Sequence, residues 1–137
     1  MDLFNNACAI AIIACKGSGK SHMVQYLLYN ALINNKFKFG LVFCPTKKYN
    51  HSYNFIPDRY VIDDVDNFEM IFYKYIEMLH KKYKNNIPNN FIILDDCVGY
   101  FNTQTDRFKQ FITTHRHPKI TIIFISQYAN QLLTPTI

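Results

Sequence analysis

The chain has 137 residues, 49% of them hydrophobic, and 15 Lys and Arg against 10 Asp and Glu give it a formal charge of +5. That length holds a single domain, residues 1–137, able to bury roughly two-thirds of its unfolded surface. No apolar run approaches the roughly 20 residues that span a bilayer, and the start, Met1-Asp2-Leu3-Phe4-Asn5-Asn6, lacks the basic segment of a secretory signal. The expectation is a soluble protein with no membrane insertion. Cys8, Cys15, Cys44 and Cys97 form no C-x-x-C pair, which fits a reducing compartment better than a disulfide framework. The positive charge permits a polyanionic partner without requiring one.

In chain order, Cys8 to Ala14 is a continuous apolar run, as expected of a strand buried on both faces. After Lys20, the residues Val24, Leu27, Leu28, Ala31 and Leu32 recur at helical spacing and make one apolar stripe. Phe39 to Phe43 reads as a second strand, Thr46 to Pro57 as a polar and aromatic loop, and Arg59 to Ile62 as a short strand. Asp66 resembles a helix N-cap with Glu69 three residues on, as in a capping box. Phe68, Ile71, Phe72, Tyr75, Ile76 and Leu79 then repeat at helical spacing, and Lys81, Lys82 and Lys84 lie where the helix dipole favours cations. Phe91 to Leu94 is a further strand. Phe108, Phe111 and Ile112 mark a helix ending near His115, and Ile120 to Ile125 is a last strand. Short apolar strands alternating with helices predict an α/β fold with a mostly parallel sheet.

Between the first strand and first helix lies Ala14-Cys15-Lys16-Gly17-Ser18-Gly19-Lys20-Ser21. It matches the phosphate-binding loop pattern G-x-x-x-x-G-K-[ST], with Ala14 in place of the first glycine. Gly17 and Gly19 let backbone N–H groups approach phosphate oxygens, and the following helix turns its positive end toward them. Lys20 would neutralise β- and γ-phosphates, and the Ser21 hydroxyl would ligate Mg²⁺. ATP and magnesium are the expected ligands.

Downstream, Phe91-Ile92-Ile93-Leu94-Asp95-Asp96 is an apolar strand closed by two carboxylates, the form of a Walker B motif. Asp95 is expected to hold the magnesium through its water shell, and Asp96 to polarise the attacking water as general base. Gln127, at the end of the last strand, is placed to sense the γ-phosphate. Arg116, in the basic turn Thr114-His115-Arg116-His117-Pro118, is a candidate arginine finger toward a neighbouring subunit. Its alternative is a surface ion pair.

These motifs, in this order, resemble the genome-packaging ATPases of poxviruses and other nucleocytoplasmic large DNA viruses, within the FtsK–HerA superfamily. The resemblance rests on Gly17 to Ser21, on Leu41-Val42-Phe43-Cys44-Pro45-Thr46 with Tyr49-Asn50, on Asp95-Asp96, and on Arg116-His117 ahead of the strand ending in Ser126-Gln127. It spans about Ile10 to Leu133. It implies a three-layer, RecA/ASCE-like P-loop NTPase whose C-terminal strands are missing, because such proteins continue beyond the sensor strand while this sequence ends at Ile137. It also implies an ATPase working as a homo-oligomeric ring that drives double-stranded DNA into a virion, with capsid or virion components as partners. The place would be the host cytoplasm or viral factory and the virion. Two other readings stay open. A nucleotide or nucleoside kinase would use Asp58-Arg59 to hold a nucleoside, and a truncated copy would be an inactive nucleotide-binding module.

Overall fold

The computed structural model describes residues 9–13, 20–34, 36–49, 51–97 and 119–126. Along the chain these form β1 (Ala9–Ile13), α1 (Lys20–Ile33), β2 (Phe39–Phe43), a single 3-10 turn (Asp58–Tyr60), β3 (Val61–Ile62), α2 (Phe68–Tyr83), β4 (Asn90–Asp95) and β5 (Ile120–Ser126). The strands build one sheet in the order β1-β5-β4-β2-β3, with every pairing parallel. Parallel neighbours need crossovers, and a sheet covered on both faces is why β4 reads as an unbroken apolar run.

Alternation along the strands sorts their side chains onto two faces. Val42, Phe91, Ile93, Ile123 and Ile125 pack with Leu28 and Ala31 of α1. Leu41, Phe43, Ile92, Leu94, Ile122 and Phe124 pack with Phe68, Phe72, Tyr75 and Leu79 of α2. Helix, sheet and helix therefore make three layers, as the family resemblance implied. Gly40 lies opposite Phe91 across the β2–β4 pairing. A Cβ there would come within 2.4 Å of the Phe91 ring, which itself lies edge-on to Phe37 at 5.3 Å. Glycine is what lets that aromatic ring cross the sheet.

Three local expectations change. α2 is capped by Asn67, not Asp66, and no side-chain cap bond forms. The Asn67 amide instead donates to Asp64 Oδ2 at 2.8 Å, so the candidate cap is engaged with the preceding turn. Of the expected strand at Arg59 to Ile62, only Val61 and Ile62 pair with β2, because the residues before them close the 3-10 turn. The described residues between Thr46 and Pro57 form no helix or strand, in keeping with the expected loop, yet Tyr53 and Ile56 among them are buried in the α1-side core. The expected helix around Phe108 to His115 lies outside the described residues.

At the strands' starts, Asn90 is 0% exposed and accepts a hydrogen bond from Tyr75 Oη at 2.8 Å. Its amide donates to the carbonyls of Pro88 (3.1 Å) and Lys119 (3.3 Å). This polar knot ties α2 to the entries of β4 and β5, and satisfies groups that would be costly to bury alone.

Candidate nucleotide site at the carboxyl ends of the strands

Because the strands are parallel, their carboxyl ends share one edge. Ile13 pairs with Ser126, and Asp95 with Ile125, so the ends of β1, β5 and β4 lie side by side. β5 stands between β1 and the strand carrying the carboxylates. The described chain leaves β1 at Ile13 and resumes at Lys20, the first residue of α1. Lys20 and Ser21 thus occupy the first turn, where unsatisfied N–H groups and the helix dipole favour an anion. Ala14, Cys15, Lys16, Gly17, Ser18, Gly19, Arg116 and Gln127 lie outside the described residues.

Asp95 is the best-defined member of the site. Its side chain is 4% exposed, at the last position of β4, and Oδ2 accepts a 2.7 Å hydrogen bond from Tyr53 Oη. Tyr53 is equally buried at 4%. Burial first, then the adjacent Asp95 carboxylate, pushes its phenol far above the ordinary value, so it stays a donor. Tyr53 comes from the β2–β3 connection, 42 residues upstream. Nothing in the sequence pattern marked it. The one available signal was an aromatic with a polar tip inside a stretch read as a polar and aromatic loop.

Asp96 follows in the left-handed region, with φ of 54°, and its N–H donates to Ile125 O at 2.9 Å. Aspartate tolerates that conformation better than most residues, and such backbones recur at functional sites. The turn lifts Asp96 out of the sheet, where it is half-buried while Asp95 is enclosed. The two acids therefore meet different environments despite being neighbours. Cys97 returns to the core on the α2 side and donates through Sγ to Phe43 O at 3.0 Å. Burial is the main cause that pushes its thiol up, with Asp95 second, so it packs as a neutral thiol. Cys44 and Cys97 are both buried thiols outside any disulfide.

Asp58 and Arg59 are not brought together as a pair. The Asp58 carboxylate meets Lys47 Nζ at 3.2 Å, while the Arg59 guanidinium lies over the Tyr60 ring at 4.8 Å. Among the described residues no group of three His, Cys, Asp or Glu gathers as a metal cage, and no helix is long and apolar enough to cross a membrane. A single enclosed carboxylate with hard oxygen donors nevertheless fits magnesium, which keeps most of its waters and takes one or two carboxylates beside substrate phosphates.

The family model described as "Poxvirus A32 protein" matches residues 1–135. The chain belongs to that family. Comparison with curated protein sequences returns no match. Among solved structures, the family member resembles B204, the DNA-packaging ATPase from Sulfolobus Turreted Icosahedral Virus, with a TM-score of 0.67 and 20% identity over 96% of this chain and 71% of that one. It also resembles the pCW3 conjugation coupling protein TcpA in its monomer form with ATPγS, with a TM-score of 0.64 and 16% identity. That match takes 98% of this chain but 47% of TcpA, so the family member spans about half that protein's length. A third likeness is to ATPases 2 and 3 of EssC from Geobacillus thermodenitrificans, at TM-score 0.59 and 16% identity, over 98% of this chain and 30% of that one. At these identities the likeness is one of fold: the three-layer P-loop ATPase fold.

Proposed function

We propose that this family member is an ATPase that packages viral double-stranded DNA, working as a ring of identical subunits with virion components as partners. The observation that carries the reading is the enclosed Asp95 carboxylate, held by Tyr53 at the carboxyl end of β4. It sits two strand positions from the end of β1, across β5, on a sheet whose α1 begins at Lys20. Family membership and the fold of packaging ATPases support it.

In this reading residues 14–21 wrap the phosphates of ATP, with Lys20 balancing their charge. Ser21 and Asp95 would hold magnesium, which when bound neutralises phosphate charge. Asp96, turned away from the sheet, takes the proton of the attacking water. Gln127 senses the γ-phosphate, and Arg116 reaches a neighbouring subunit's nucleotide. The protein would act in the host cytoplasm and the virion.

The test is ATP turnover with and without duplex DNA. Turnover should require magnesium and rise with duplex DNA, and Lys20→Ala should abolish ATP binding. ATP turnover that survives Lys20→Ala would overturn the assignment of the site.

A further inference from the structure

The parallel sheet has a second edge, formed by the amino ends of its strands, and lysines from separate parts of the chain converge there. Lys38 precedes β2 and Lys119 precedes β5, while Lys81, Lys82 and Lys84 close α2 as the chain returns toward β4. Backbone hydrogen bonds stitch these entries together: Lys38 N–H donates to Asn89 O, and Asn90 N–H to Lys119 O. Tyr83 lies between Lys38 Nζ at 5.8 Å and Lys82 Nζ at 5.4 Å. His80, Lys84 and Lys119 share a hollow of about 210 Å³ with Asn85 and Ile87, and no carboxylate lines it. Lys38, Lys81, Lys82, Lys84 and Lys119 are all exposed.

The acids of the described residues lie mostly at the other end. Those between Asp58 and Asp66 surround β3, Glu69 opens α2, and Asp95 and Asp96 close β4. Glu77, in the second half of α2, is the exception among them. The charge asymmetry is therefore built by topology, since no lysine run in the sequence contains Lys38, Lys84 and Lys119 together. Two of these lysines also hold an uncommon backbone. Lys84 and Lys119 have φ of 56° and 57°, where asparagine or glycine would be less strained.

We propose that this amino-end edge is a docking surface for the phosphate backbone of double-stranded DNA. The proposal rests on the packaging reading above and adds where the DNA lies: on the opposite edge of the sheet from the nucleotide. Lys38 and Lys119 enter strands two positions apart, a span of about 10 Å at the usual strand spacing. That width faces several phosphates of a duplex, which carries a charge every ~1.7 Å of its axis. Single-strand binders instead offer exposed aromatic platforms to bases. Among the described residues at this edge, Tyr83 is half-buried, stacked on Phe39 at 5.8 Å and flanked by Lys38 and Lys82. The edge is built to meet a backbone.

The experiment is duplex DNA binding by fluorescence anisotropy across a salt series. It compares the full chain with a variant carrying Lys81→Gln, Lys82→Gln, Lys84→Asn and Lys119→Asn. Asparagine tolerates a positive φ better than lysine, so the fold should hold, with a melting temperature no lower than that of the wild type as the check. Basal ATP turnover without DNA should be unchanged. Affinity should fall at least tenfold at low salt. The log–log salt slope should shrink by about 0.9 for each phosphate no longer neutralised, so by roughly 3 to 4 for the four lysines together. The double variant Lys81→Gln, Lys82→Gln should show about half of that reduction. Wild-type affinity and slope in both variants would overturn the surface while leaving the packaging reading intact. Wild-type chain that ignores duplex DNA, or binds only anionic phospholipid vesicles, would overturn both.

Discussion

Replacing Tyr53 by Phe removes one oxygen and nothing else from the centre of the site. The hydroxyl lies 2.7 Å from Asp95 Oδ2, and both residues are nearly inaccessible to water. A hydrogen bond to a charged group is worth about 1.5–3 kcal/mol, and a buried acceptor that loses its donor cannot recruit bulk water in exchange. The ring still fills its place in the α1-side core beside Ile56 and Val61, so the packing contribution should survive. Unfolding should then show a loss of about 1.5–3 kcal/mol, or roughly 5–10 °C in melting temperature for a chain of this size. The second effect is on metal use. Partners that orient a metal-binding carboxylate typically change metal affinity or activity about 10–100-fold when removed. Titrating magnesium against ATP turnover should therefore show Tyr53→Phe needing at least tenfold more metal. Asp95 would be held by other means if the variant melted with the wild type and titrated magnesium identically, and the reasoning would be refuted.

Gly40→Ala should destabilise the protein by about 1–3 kcal/mol in denaturant unfolding, because its Cβ meets the Phe91 ring at 2.4 Å and Phe37 blocks that ring's retreat. A neutral result would mean that the ring moves freely. Asn90→Ala should cost about 1–3 kcal/mol, since it strands the buried Tyr75 hydroxyl, while Lys119 O keeps its bond from the backbone N–H of residue 90. Alkaline pH should weaken the fold. Burial is the leading cause that raises the Tyr53, Tyr75 and Cys97 protons above their ordinary values. The unfolded chain releases them first, so their contribution is whole below about pH 8.5 and is lost as pH rises through and beyond the ordinary thiol and phenol values. Denaturation midpoints that climb above about pH 10 would contradict this.

Much of the fold was legible because both-face burial leaves a continuous apolar signature. The run from Phe39 to Phe43 matches β2 at both ends, and Ile120 to Ile125 matches β5 to within a residue. The stripe from Phe68 to Leu79 likewise lies within α2. Asp95 and Asp96 were legible from their place at the end of β4. What could not be read were contacts between distant segments. Tyr53 looks like a loop aromatic until the sheet brings the β2–β3 connection against β4. Asn90 looks like a polar residue ahead of the apolar run until Tyr75 and Lys119 meet it. The lysine edge is in part of the same kind, since Lys38 and Lys119 join the lysines that close α2 only through the fold. The α2 cap failed for a nearer reason, because Asp66-x-x-Glu69 satisfies the pattern while Asn67 and Asp64 bond to each other instead.

The central claim is that the carboxyl-end site hydrolyses ATP with Asp96 as base. It is tested most directly by ATP binding and ATP turnover measured side by side in wild type and Asp96→Asn. Asparagine keeps the left-handed backbone at this position, so folding and nucleotide affinity should match the wild type. Turnover should fall about 10²–10⁴-fold, the usual worth of a positioned base. Turnover at the wild-type rate in Asp96→Asn, with ATP bound normally, would contradict the account.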